Sequence, residues 1–360
     1  MEIINTKDFE KEARHKLTQP IYDFIAGGAG DEYTMNRNVE AFRQIQLVPQ
    51  IFRSSSHTDT SISLFNHQLS HPFMVAPSAF HSCVHPEGEI ATVRAVNQMG
   101  IAMVLSTMSS TSLEAVAKEA TCPLWFQLYI FKDRSITQQL IQRAVAAGYT
   151  ALVLTVDVPI MGNRERDQRN RFKWQAPFTS TQAITSAFLT ESDVKQTTDA
   201  LFASDLSWDD IEWLKAQTDL PIILKGIMHE KDAEIAINLD IAALVISNHG
   251  GRQLDYMPST MEVLPTIAKQ VAGKIPLLID GGFRRGIDVF KAIALGADCI
   301  LLGRSVLWAL AVNGTEGLKN LFDLYSKELS ETMIFCGCKT INDIKIHGRN
   351  SIRLLKGSFF

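Results

Sequence analysis

The densest chemistry in the chain lies in SNHGGRQLD (247–255). His249 can serve as a general base near neutral pH, and Arg252 can clamp a carboxylate through two hydrogen bonds. Between them Gly250 and Gly251 let the backbone turn closely before the arginine. An isolated histidine is more often a neutral core residue, but Asn248, the glycine pair and Arg252 favour a working base here. Two further pieces, IDGGFRRG (279–286) and LLGR (301–304), look like a phosphate site. Backbone N–H groups would take the anion, and Arg284 and Arg304 would add charge. Glycines in ordinary tight turns are the competing account of either piece alone. Other signatures fail. GGAG (27–30) follows a helical stretch rather than a strand, so it is no dinucleotide fingerprint, and Walker A, H-E-x-x-H and G-x-S-x-G patterns are missing.

These residues need a scaffold that brings them together, and the chain has the rhythm of one. From residue 73, short apolar runs rich in β-branched residues alternate with stretches of helical period. The runs are FMVAP (73–77), AMVLS (102–106), WFQLY (125–129), ALVLTVD (151–157), IILKG (222–226), ALVISN (243–248), LLID (277–280) and ILLG (300–303). Strands apolar at consecutive residues are buried on both faces, the mark of a parallel sheet covered by helices. Helical period falls at 87–98, 135–147, 233–239, 261–271 and 286–295, with glycines at C-cap positions (Gly100, Gly148, Gly296). Eight β-then-α units predict an α/β fold, a (β/α)8 TIM barrel; a doubly wound sheet is the weaker alternative. Such barrels build their chemistry where the strands end. Polar residues stand at those ends: Ser78, Ser106, Gln127 with Tyr129, Thr155 with Asp157, Lys225, Ser247 with His249 and Arg252, Asp280 to Arg284, and Gly303 with Arg304.

Residues 1–360 read as a single domain: a helical appendage over 1–72, the barrel over 73–313, and closing helices with a tail over 314–360. The spacing breaks once, with about 65 residues between the fourth and fifth strands where other units take about 20 to 35. This insert (about 158–207) is polar over 179–207, and loops of this kind are often lids. From Lys345 the final stretch has four basic and no acidic residues, and reads as a solvated tail.

Composition narrows the class. Of 360 residues 46% are hydrophobic, enough for a sizeable core, and a net charge of -4 gives no reason to expect nucleic acid. The start MEIINTKDFEK lacks the basic and apolar parts of a secretory signal, and no apolar run is long enough to span a membrane. Five cysteines without a C-x-x-C pair make a disulfide scaffold or metal site improbable. The expectation is a cytoplasmic enzyme without metal.

SNHGGRQLD followed by DGGFRRG and LGR resembles the FMN-dependent 2-hydroxy acid oxidases and dehydrogenases, the family of glycolate oxidase, lactate oxidase and mandelate dehydrogenase. The resemblance starts at IYDFIAGGAGDE (21–32) and runs to the closing helices. It implies FMN, with Ala76, Pro77, Ser78, Ala79, Ser106, Gln127 and Thr155 at the flavin ring and Lys225 at its pyrimidine end. Ser247, Asp280, Gly281, Gly282, Arg284, Gly303 and Arg304 would complete the cofactor site, several of them at the ribityl chain and phosphate. His249 would be the base, oriented by Asp157. Arg164 and Arg252 would bind the substrate carboxylate, and Tyr129 would hydrogen-bond near the reacting oxygen. A homotetramer is also implied.

Two positions depart from the glycolate-oxidase pattern: Phe24 replaces a tyrosine that helps hold the carboxylate, and Met108 replaces a tryptophan. Losing one hydrogen bond to a charged group costs about 1.5–3 kcal/mol, so Arg164 and Arg252 must carry the carboxylate. FIAGGAG is also similar to bacterial hydroxymandelate oxidases, which carry phenylalanine at the same place. The expected activity is oxidation of an (S)-2-hydroxy acid with an apolar or aryl side chain, lactate- or mandelate-like, with O2 reduced to hydrogen peroxide. A dehydrogenase passing electrons to a quinone or cytochrome is the near alternative. Membrane-bound members of the family carry a hydrophobic insert, whereas this one is polar. A flavin-free phosphate-binding aldolase or isomerase barrel would leave Lys225, Gln127 and Thr155 idle, and a non-catalytic barrel would not need His249, Arg164 and Arg252.

Overall fold

Three short strands precede the main sheet: β1 (Ile45–Leu47), β2 (Ile62–Leu64) and β3 (His67–Leu69). Then come β4 (Phe73–Val75), β5 (Met103–Leu105), β6 (Leu124–Leu128), β7 (Ala151–Thr155), β8 (Ile222–Ile227), β9 (Ala243–Ile246), β10 (Leu277–Ile279) and β11 (Cys299–Leu302). The computed structural model describes residues 2–53, 57–173 and 194–354. In it β4 to β11 pair in parallel and close into an eight-stranded barrel, as the alternating pattern predicted.

Side chains alternate across a strand, so a run apolar at every position splits into two sets. One set points inward. Met74, Val104, Trp125, Val153, Ile223, Val245, Leu278 and Leu301, one from each strand, pack together inside the barrel. Their neighbours, such as Phe73, Leu105, Phe126, Leu154, Leu224 and Ile279, join the larger core beneath the helices. The next inward position, two residues on, is Ala76, Ser106, Gln127, Thr155, Lys225, Ser247, Asp280 and Gly303 in the eight strands. The barrel is therefore apolar in its lower layer and polar at six of the eight positions in the layer above. Its other end is plugged by the β2–β3 hairpin, whose Leu64 and Leu69 enter the interior cluster and whose Phe65 meets Trp125 edge-on at 5.4 Å.

Helices Gly88–Met99, Arg134–Ala146, Glu230–Asn238, Thr260–Val271 and Gly286–Ala294 lie where the helical period placed them. Gly100 ends the first of these at φ 60°, a left-handed turn. Ser259 and Glu262 form a capping box at the start of Thr260–Val271.

Three expectations change. The appendage is not helical throughout: helices Thr6–Lys16, Gln19–Ala26 and Tyr33–Arg43 are followed by β1, β2 and β3. The described part of the tail is docked, although its basic residues Lys345, Arg349 and Arg353 stay exposed. Lys345 bridges Asp298, and β12 (Ile352–Leu354) pairs antiparallel with β1. Sequence reading failed there because β1 and β12 are short and far apart in the chain. The insert contains helices Glu165–Arg169 and Val194–Leu201, and helix Asp209–Lys215 follows it, while its middle, 174–193, lies outside the described residues, as does the lid expected of it. No helix among the described residues is long and apolar enough to cross a membrane.

Candidate active site

A cavity opens above the polar layer, at the C-terminal ends of the barrel strands. Of the sequence-predicted site residues, Asp157 and Ser247 do not line it; the others do. Both lie just behind its wall, each bonded to a residue that does.

The floor is a charged knot. Lys225 Nζ stands 3.1 Å from Asp280 Oδ2 and donates to Ser247 Oγ at 2.9 Å. Ser247 Oγ in turn donates to Asp280 Oδ2 at 2.9 Å. Burial alone would lower the Lys225 pKa, but Asp280 and Asp157 outweigh it and the net shift is upward, so the ammonium is kept. Asp280 Oδ1 is buried with no hydrogen-bond partner among the described residues. Gln127 accepts from Thr107 N at 3.1 Å and donates to Thr155 Oγ1 at 3.1 Å, which fixes its amide across the barrel mouth.

His249 leaves its strand at φ 55° and places Nδ1 3.0 Å from Asp157 Oδ1. A Cβ on Gly226, itself at φ +118°, would come within 2.7 Å of the Asp157 Cβ, so only glycine lets this carboxylate approach. Burial pushes the His249 pKa down. Asp157 pulls it up, but Lys225 and Arg164 also push it down and the net shift is downward. For Asp157, burial raises the pKa while His249 and Lys225 lower it, and the net shift is downward. The resting pair is therefore a neutral imidazole on a carboxylate. A carboxylate only accepts, so Nδ1 carries the proton and Nε2 is left basic.

Around this base stand donors. Tyr129 is pushed up to about 12 by burial and by Asp157, so its phenol stays protonated. Arg164 is brought down to about 9 by burial and by Arg252, and is still a cation at neutral pH. Arg252 Nη1 donates to the carbonyls of Phe24 at 2.7 Å and Gly27 at 2.9 Å, and its Cζ lies 5.1 Å from the centre of the Phe24 ring. Arg304 donates to the carbonyls of Ile25, Gly27 and Gly250 at 3.0, 2.8 and 2.9 Å. The FIAGGAG segment thus has a use that its sequence did not disclose: its carbonyls hold the two arginines. Burial, then Arg252, Arg284 and Arg164, push Arg304 well below the usual guanidinium range. Cations packed this way, held by neutral carbonyls, make a site for anions.

The remaining wall is apolar and was largely missed in the sequence. Phe24 stacks on Phe80 at 5.7 Å and on Phe172 at 4.6 Å, and Tyr129 stacks on Phe202 at 4.7 Å. Val194, Thr198 and Phe202 reach the cavity from the returning arm of the insert, spaced by four as one helix face. That spacing was the available signal. Met161 and Met108 complete the lining on this side.

The sequence model of the FMN-dependent dehydrogenase family matches residues 13–350. The chain belongs to that family. A peroxisomal (S)-2-hydroxyacid oxidase of Arabidopsis thaliana is 41% identical over 355 residues, 98% of this chain and 97% of that one. A glycolate oxidase of Oryza sativa subsp. indica is 42% identical, with 95% and 94% of the two chains covered. The crystal structure of mandelate oxidase with (S)-4-hydroxymandelic acid superposes with a TM-score of 0.92 at 37% identity, covering 98% of this chain and 99% of that one. The cofactor is FMN, and the site fits it. Crowded guanidiniums at Arg284 and Arg304 could hold a phosphate, the unpartnered Asp280 Oδ1 could take a ribityl hydroxyl, and Lys225 could stand beside a ring that gains charge.

Proposed function

We propose that this chain oxidises (S)-2-hydroxy acids with an apolar or aryl side chain to 2-oxo acids, with O2 as acceptor and His249 as base. The observation that carries this reading is His249, held by Asp157 at 3.0 Å, in one cavity with Arg164 and Arg252. Bound FMN supplies the two-electron redox chemistry. Arg164 and Arg252 bind the substrate carboxylate; Arg252 Nη1 is tied to backbone carbonyls, which leaves Nε and Nη2 to face the ligand. The Tyr129 phenol donates a hydrogen bond to the substrate oxygen. His249 Nε2 takes the hydroxyl proton, and Asp157 stabilises the resulting imidazolium. Net, the hydroxyl proton and the C2 hydrogen leave with one electron pair, the C2 alcohol becomes a ketone, and O2 takes up that pair and two protons as hydrogen peroxide. Under air, peroxide should form in step with the 2-oxo acid; product without peroxide would assign the electrons to a quinone or cytochrome instead.

The side-chain preference rests on the aromatic wall around Phe24, on Phe202 and on Met108 and Met161. Flavin-linked steady-state rates with mandelate and glycolate test it. Phe24→Tyr adds a hydroxyl at the ring beneath Arg252, and one hydrogen bond to a charged group is worth about 1.5–3 kcal/mol. We expect that variant to bind glycolate about tenfold more tightly and to lose most of its preference for mandelate. An unchanged ratio of kcat/KM values would remove Phe24 from specificity.

A further inference from the structure

We propose that Glu89 is a positioning residue that locks together the two loops forming the β4 and β5 side of the flavin site. Glu89 is fully buried, does not line the cavity, and lies in the second position of helix Gly88–Met99. A carboxylate there normally faces solvent and the helix dipole. This one spends its oxygens elsewhere. Oε1 accepts the backbone N–H groups of His81 at 3.3 Å and Ser110 at 2.8 Å. Oε2 accepts the hydroxyls of Ser110 at 2.7 Å and Thr111 at 2.8 Å.

His81 follows the segment after β4 that lines the cavity with Ala76, Pro77, Ser78, Ala79 and Phe80, and Ser110 follows the one after β5 that lines it with Ser106 and Met108. The two loops also meet directly, through Phe80 N to Met108 O at 3.2 Å and Ser82 N to Ser110 Oγ at 3.0 Å. Glu89 is thus the one charged group reaching both loops among these contacts. The preceding residue is built for the close approach. Gly88 sits at φ +49°, where a Cβ would meet Ser82 N at 3.2 Å and Ser110 Oγ at 3.3 Å.

The acceptor pattern sets the test. Two of the four donors are backbone N–H groups and cannot reverse, whereas the two hydroxyls can rotate to accept. A glutamine can therefore replace Glu89, its carbonyl facing the N–H groups and its amide the hydroxyls. Aspartate keeps the charge but is one methylene short of both loops, and alanine leaves the buried His81 N–H and the part-buried Ser110 N–H without this partner.

The experiment compares Glu89→Gln, Glu89→Asp and Glu89→Ala holoenzymes. FMN affinity is read from flavin fluorescence on dilution, and flavin geometry from visible circular dichroism. The Asp and Ala variants should lose at least about tenfold in FMN affinity and alter the dichroism, while Gln stays within about threefold of the parent. Anaerobic flavin reduction by substrate should slow in the first two with an unmoved pH profile, since the His249–Asp157 pair is untouched. Parental FMN affinity and dichroism in the Asp variant would overturn the assignment, and so would a Gln variant as impaired as Asp. If the Ala variant does not fold, Asp and Gln decide alone. The inference uses the proposed substrate only for the reduction step, so failure of the parent enzyme to be reduced would count against that substrate and leave the FMN readouts to judge Glu89.

Discussion

A His249→Ala enzyme should bind FMN with parental affinity and yet hardly be reduced by substrate. The imidazole touches none of the groups that crowd the phosphate end, since its side-chain contact is Asp157 at 3.0 Å. A positioned general base typically contributes about 10²–10⁴-fold to rate, and a loss of that size in the anaerobic reduction rate constant is expected. Retained reduction would place the base elsewhere. The same residue sets the pH dependence. The active form is the neutral imidazole, and burial, Lys225 and Arg164 together hold its pKa below the usual 6.5. Protonation abolishes the base, so kcat/KM should fall with acid through a pKa lower than 6.5 and hold its plateau as pH rises through 7. An acid limb above that value would mean that Asp157 outweighs burial.

Much of this site was legible because strand parity is strict. Once Trp125, Val153, Ile223 and Val245 are assigned to the barrel interior, Gln127, Thr155, Lys225 and Ser247 follow as the next residues on the same face. His249 and Arg252 were legible through their company of asparagine and glycines. Of the apolar wall only Phe24 and Met108 were, because Met161, Val194 and Phe202 carry no polar signature and read as core. Glu89 was hidden for the opposite reason: a glutamate in the first turn of a helix looks like ordinary dipole compensation. Only the loops after β4 and β5, brought together by the closed barrel, show where its oxygens go. Docking of the last strand on β1 has no local signal at all, since three residues with one buried position carry too little pattern to read.

Arg252→Met should be the most damaging change to substrate binding. The arginine has two duties, and the substitution removes both. Toward the substrate it offers the half of its fork that is not tied to the carbonyls of Phe24 and Gly27. Losing two charge-assisted hydrogen bonds costs about 3–6 kcal/mol, or about 10²–10⁴-fold in kcat/KM. Toward the protein it holds the FIAGGAG backbone, which also receives Arg304, so the Phe24 ring beneath it loses its cation and its anchor. Arg252→Lys separates the duties. An ammonium restores the charge but has no planar fork to serve carbonyls and carboxylate at once. It should recover part of the affinity for the carboxylate while leaving kcat low, because the substrate is no longer oriented toward His249. Stopped-flow reduction over a range of substrate concentrations separates the two effects. If lysine restores both affinity and the limiting rate, the guanidinium acts as a point charge and its hydrogen bonds to Phe24 and Gly27 are incidental to catalysis.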